Sequence, residues 1–348
     1  MSEIPRGAIR FNTDSNKPEL WDGSQWAEFQ LSTPNLGRSV DTQPGARGLI
    51  GGGGFNVPTT TYRDSIEYVN ISSAGNAQEF GDLNVARYYI GATASSTRAV
   101  FNGGQYSGGT EKTMEFVTIS STGTVTDFGE DHADLALNAA GCGNQTRGLF
   151  GSGFAPGPFT PVNAIEYITI ASTGDANDFG DLVTQSAQRG AFSSPVRGVW
   201  CGGYYPGNPQ GQIDFVNIAS TGNAQSFGNL ATDQIRVGGG SNATRGVYFG
   251  GQTNPGGDLS GDINYVTISS GGNAVYFGDL ANATEWPTMM TNSTRGVVAG
   301  GSPGPYIGTH VTMEQINFST QGNAVAFGDL TEGRTFGPGA TSNAHGGL

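Results

Sequence analysis

Several aromatic side chains stand in short Gly/Pro-rich stretches beside Asn, Gln and Asp: Phe55, Tyr62, Tyr106, Phe159, Tyr204, Tyr205 and Tyr306. A ring next to amides and carboxylates can stack on the apolar face of a sugar while its neighbours bond the hydroxyls. The competing reading of any one of them is a ring that folds back to plug its own loop. Six arginines, Arg47, Arg98, Arg147, Arg197, Arg245 and Arg295, could form an anion site. Their regular recurrence favours a structural role instead, each guanidinium bonding carbonyls or a carboxylate of a neighbouring repeat. Asp82, Asp181, Asp279 and Asp329 each follow a Phe-Gly pair and read as turn-capping carboxylates.

Other chemistry finds little footing. His132, His310 and His345 are the only histidines, and they form no ligand or nucleophile constellation. The loop acids Asp64, Glu111, Asp131, Asp134, Asp258 and Glu285 contain no pair set apart by a motif. The expectation is therefore a non-enzymatic protein with no catalytic residues, no metal site and no cofactor. Cys142 and Cys201 have neither paired spacing nor a nearby histidine, and read as small thiols within strands. A net charge of -13 with only 13% charged residues argues against nucleic acid and anionic membranes as partners. The start shows no secretory leader and the chain no long apolar run, so synthesis in the cytoplasm without membrane insertion is expected.

The elements that carry these residues repeat. The six arginines are separated by 51, 49, 50, 48 and 50 residues, and the next step of 50 falls on His345. The Phe-Gly pairs at Phe80, Phe128, Phe179, Phe227, Phe277 and Phe327 keep the same period. Within each copy four short β-branched or aromatic segments, here a, b, c and d, are bounded by Gly, Ser, Asn or Asp. A polar turn such as Ser-Thr-Gly-Asn at 220–223 makes c and d an antiparallel hairpin. Strand c, as at 165–170, is apolar on both faces, and strand b ends in glycines. A four-stranded unit of this kind must stack on copies of itself. Gly 58 and Pro 16 would suggest disorder in an aperiodic chain, but the regular strands and 10% aromatics oppose that.

Arg87, the run 100–104 ending in Gly-Gly, Phe116 in strand c and Phe128 in strand d make a pattern that resembles the kelch repeat. The resemblance implies an all-β fold, a kelch-like β-propeller of four-stranded antiparallel blades. The tally is six b-c-d sets joined by strands a, a final a at 334–343 and an N-terminal hairpin shaped like a c–d pair. Complementary ends favour seven blades, the last closed by both termini. The alternative is six blades, with the hairpin separate and the final strand a replacing one at 35–42. On either count residues 1–34 are the hairpin and 35–348 the propeller. The b–c and d–a loops share one face, and the variable b–c loops carry the candidate aromatics.

The stretch 7–30 holds Ile9-Arg10-Phe11-Asn12-Thr13, Glu19, Trp21-Asp22-Gly23-Ser24 and Trp26. It resembles a hairpin found near the start of many tailed-bacteriophage virion proteins. That likeness implies a virion component at head, tail or baseplate, with other virion structural proteins as partners and room for a homo-oligomer on the particle. With the loop aromatics, it implies a non-catalytic adhesin for host surface polysaccharide. A purely bracing or decorating role is the main alternative, and a glycan-cleaving propeller a weaker one.

Overall fold

The computed structural model describes residues 5, 7–12, 17–21, 23–28, 47–56, 59–131, 137–155, 159–206, 208–253, 258–304 and 310–348. The chain divides into two units, Met1–Gln43 and Pro44–Leu348, and the regular structure described in both is β-strand.

In the first unit Ile9–Asn12, Lys17–Trp21 and Trp26–Glu28 form one antiparallel sheet. The residues that make its sequence distinctive are in mutual contact. The Arg10 guanidinium pairs with the Glu19 carboxylate at 2.7 Å and lies 4.3 Å above the Trp26 ring, which packs against Trp21 at 5.5 Å.

The second unit is a six-bladed β-propeller. Its strands make six antiparallel sheets, each running a-b-c-d from the inside outward. The inner strands are Gly339–Ser342, Gly91–Ala94, Ala140–Gly143, Gly190–Ser193, Gly238–Ser241 and Thr288–Thr291, and each touches the next in that cyclic order. Seven blades is therefore the wrong count, and six the right one. The final strand a pairs with Arg47–Gly51, placing Gly339 opposite Gly51 and Ser342 opposite Gly48. Blade 1 takes its c and d strands from Ser65–Asn70 and Gln78–Asp82. The described N-terminal strands form a sheet of their own and supply no strand to blade 1 or to any other blade. The expected strand a at 35–42 lies outside the described residues.

Blades adhere because strand c is apolar on both faces. Each of six buried clusters bridges one junction: Leu49, Ile66 and Phe80 of blade 1 meet Ala92, Phe101 and Val117 of blade 2. Ile50 and Val69 on the other face of blade 1 meet Met290, Val297 and Met313 of blade 6. Outer edges are laced as well. The turn glycine of one blade donates its N–H to the Phe carbonyl of the preceding Phe-Gly pair, from Gly123 to Phe80 at 2.8 Å round to Gly75 to Phe327 at 2.9 Å. This approach explains the glycine of that pair: at Gly180, with φ +142°, an added Cβ would lie 2.6 Å from the backbone of Gly222.

The recurring arginines do what their periodicity suggests. Each donates from Nη1 to a carbonyl of the next blade, Arg147 to Ile218 at 2.7 Å and Arg295 to Ile71 at 3.0 Å across the closure. Five rest on the strand-c aromatic of their own blade, Tyr68, Phe116, Tyr167, Phe215 or Tyr265, at 4.2–4.5 Å. The Phe-Gly-Asp carboxylates are a different matter, because the turn cap is the Asn of the neighbouring blade. Asn223, Asn323 and Asn76 accept the backbone N–H of Asp181, Asp279 and Asp329 at 3.1 Å. Of these four acids Asp279 takes a hydrogen bond from the Tyr276 hydroxyl at 2.7 Å.

Candidate functional site

The six inner strands surround a channel whose two ends differ. At the lower end four of the six strands finish in small hydroxyl-bearing residues, Ser193, Ser241, Thr291 and Ser342, which tie neighbours together, as where Ser193 Oγ donates to Gly143 O at 2.7 Å and Ser241 Oγ to Ser193 O at 2.6 Å. Residues 345–348 enter this end. His345 Nε2 lies 2.7 Å from Ala94 O, and a Cβ on Gly346 or Gly347 would collide with Ser193, Ser241 or Gly143. Enclosure there pushes the imidazole below the usual histidine range, against the hydrogen bond to Ala94, which raises it.

The upper end is a cavity of about 100 Å³. Two residues before each inner strand the backbone turns left-handed, at Gly337 (φ 36°), Tyr89 (60°), Asn138 (61°), Gln188 (63°), Arg236 (61°) and Trp286 (60°). The turn lets each blade bond its neighbour, with Asn138 N–H on Tyr89 O at 3.1 Å and Arg236 N–H on Gln188 O at 3.0 Å. Any residue but glycine is strained in this conformation, by about 1–2 kcal/mol. Glycine would satisfy all six positions, yet five carry unrelated side chains. Asn138, Gln188, Arg236, Trp286 and Gly337 line the cavity and form its rim.

From that rim an aromatic series runs outward over the face shared by the b–c and d–a loops. Trp286 and Tyr89 meet at 4.7 Å, Tyr89 stands edge-on to Tyr88 at 4.5 Å, and Tyr88 stacks on Tyr62 at 5.0 Å with 9° between planes. Phe336 supports both Tyr88 and Tyr89. Burial, with Tyr62 alongside, pushes the Tyr88 hydroxyl up to about 12, so it stays a hydrogen-bond donor at all ordinary pH. Beside Tyr62 a polar groove holds Arg63, Asp64, Glu79 and Asp82.

The aromatics singled out from sequence are thus dispersed. Tyr62 joins the series to the mouth. Phe159 and Tyr204 flank Phe154 at 6.1 and 6.4 Å, a second cluster at the junction of blades 3 and 4, and Tyr205 beside it is exposed. Tyr106 folds over the turn at Gly108, filling its own loop, and Phe55 lies under the Arg63 guanidinium. Tyr306 lies outside the described residues. The residues that build the mouth, Tyr88, Tyr89, Asn138, Gln188, Arg236, Trp286 and Phe336, carry no shared residue type and were not legible as a set. The available signal was positional: five of them stand two residues before a strand a, which is glycine- or alanine-rich in four of those blades and Thr-Met-Met-Thr after Trp286.

Buried acids recur on strand c, and they are structural. Each sits at a β-bulge, as between Ile66 and Glu67 or Met114 and Glu115, which turns the carboxylate toward the d–a loop. Glu67 Oε2 accepts Thr331 N–H at 2.7 Å and pairs through Oε1 with Arg334, while Glu115 pairs with Arg87 and Asp214 with Arg189. Asp131, close to Glu166, has both carboxylate oxygens buried with no hydrogen-bond partner among the described residues. Its burial, reinforced by the charge of Glu166, pushes its carboxyl up to about 8. Cys142 and Cys201 are free, buried thiols, and burial pushes both up to about 12. Among the described residues no group of three or more His, Cys, Asp or Glu converges as for a metal ion.

No protein-family model matches the chain, and no curated protein matches its sequence.

Proposed function

We propose that the protein is a non-catalytic adhesin of a tailed-phage virion, with the Met1–Gln43 unit as its attachment element and the upper face of the propeller as its contact with host surface glycan. One observation carries the binding half: the unbroken run Tyr62, Tyr88, Tyr89, Trp286 from a b–c loop to the channel mouth. Rings in series, bordered by the amides and carboxylates of the rim and groove, offer successive stacking platforms with hydroxyl partners between them. The virion half rests on the N-terminal resemblance, whose distinctive residues Arg10, Glu19, Trp21 and Trp26 form one packed cluster.

Binding of the purified protein to host cells and to a glycan panel tests this, with Tyr62→Ala/Tyr88→Ala beside the wild type. Two lost stacking contacts of about 1 kcal/mol each weaken affinity by roughly 30-fold. Circular dichroism of the variant shows whether the blades persist. Undiminished binding by a folded variant refutes the assigned face, and a folded wild type that binds neither cells nor glycans refutes adhesion in favour of a bracing role on the particle.

A further inference from the structure

Residues 342–347 cross the lower end of the channel and lie against every blade. Ser342 Oγ donates to Thr291 O of blade 6, and Asn343 Oδ1 accepts the Arg47 N–H of blade 1 at 3.2 Å. His345 reaches Ala94 O of blade 2. Gly346 is wedged against Ser193 and Ser241 of blades 4 and 5, and Gly347 against Gly143 of blade 3, with no room at either for a Cβ. Beside this strap is a cavity of about 50 Å³ whose lining includes Thr93, Ser193, Ser241 and His345.

His345 holds the strap through both ring nitrogens. Nε2 lies 2.7 Å from the Ala94 carbonyl oxygen, which accepts, and Nδ1 lies 3.1 Å from the Gly347 nitrogen, whose N–H donates. The two partners fix the neutral tautomer with its proton on Nε2. A second proton has to go on Nδ1, where it points an N–H at the N–H of Gly347. The bond to Ala94 survives that change and the bond to Gly347 does not. Gly347 has no space to retreat toward Gly143, so the strap relieves the clash by swinging away from the channel.

No other charge governs the ring. The inner strands packed around it turn one other titratable side chain to the cavity, the Cys142 thiol, which burial keeps neutral. Among the described residues no carboxylate and no second base lines that space. The Arg47 guanidinium is bonded to Ile119 O at 2.8 Å.

We infer that residues 343–348 are a proton-operated strap: neutral His345 holds them across the lower end of the channel, and protonation of its Nδ1 releases them. Burial keeps the imidazole below its ordinary value of 6.5, against the Ala94 bond, which raises it. The strap's contribution is therefore fully present above about 6.5 and is lost as pH falls through the lowered folded value.

Nitrogen-15 NMR of the whole chain, read together with backbone amide exchange between pH 8 and 4, tests this. At pH 8 His345 should carry its proton on Nε2. As Nδ1 titrates, the protection factor of the Gly347 amide should fall about tenfold or more, the loss of one hydrogen bond. The buried Ile119 amide, bonded to Thr97 O at 2.9 Å, should keep its protection. In His345→Asn the side-chain oxygen still accepts the N–H two residues on but does not titrate, so the acid-induced fall should vanish. His345→Gln keeps a donor for Ala94 and lacks the acceptor, so Gly347 should be weakly protected at every pH. A proton on Nδ1 at pH 8 overturns the inference, as does constant Gly347 protection across the His345 titration. The same fall in folded His345→Asn, or one shared by Ile119, also overturns it.

Discussion

Replacing Gln315 by phenylalanine should stabilise the propeller. In blades 1 to 5 the ring of strand c lies under the arginine of strand b and edge-on to the phenylalanine of strand d, as Phe215 does beneath Arg197 at 4.4 Å and against Phe227 at 5.9 Å and 79°. Blade 6 has Gln315 at that place, with its Oε1 buried and unpartnered among the described residues, and an open hollow bounded by Arg295, Gln315 and Val325. A ring there gains about 0.5–1 kcal/mol from the guanidinium and about 0.5–1.5 kcal/mol from the edge contact with Phe327. Removing the unpartnered amide oxygen adds about 1 kcal/mol. Partial exposure reduces the sum, so the expected gain is about 2 kcal/mol. Urea denaturation at constant slope measures it. The Arg295→Met background separates the terms, because the gain should shrink there by about 0.5–1 kcal/mol. A variant no more stable than wild type, or a gain identical in the Arg295→Met background, refutes the claim that ring and guanidinium act as a unit.

Other consequences of the architecture can be measured as directly. Gly180→Ala forces a Cβ into the Gly222 backbone and should cost about 3 kcal/mol, read as a lowered urea midpoint; an unchanged midpoint contradicts the close approach. The Asp131 carboxyl is raised in the fold, so its contribution is fully present below its ordinary value near 4 and is lost as pH rises through about 8. Asp131→Asn should therefore raise the melting temperature at pH 9 and flatten the fall in stability between about pH 4 and 8, and a parallel curve would refute the assignment. Cys142 and Cys201 should resist an aromatic disulfide reagent in the native state and react together on unfolding, since burial suppresses both thiolates. Residues 44–348 alone should retain the β-sheet circular dichroism and cooperative melting of the whole chain; collapse on removing 1–43 would point back to a hairpin that belongs to a blade.

The local sequence determined the blade. The near-50-residue period, the Gly-Asn turns, the two-faced strand c and the one-per-repeat arginine are each dictated by contacts that every copy makes alike, so they recur in the residues themselves. The blade count was decided elsewhere. Strand a is short and built of small residues, and whether its last copy pairs with Arg47–Gly51 or with the N-terminal hairpin depends on partners far along the chain; Asn343 reaches the Arg47 N–H across 296 positions. The candidate site was similarly hidden. Its rim consists of six positions equivalent in backbone and unlike in side chain, and Tyr89 touches Trp286 only because the ring closes around Gly337. Periodicity reports what copies share, whereas the channel mouth is made of what they do not share, brought together by closure of the ring.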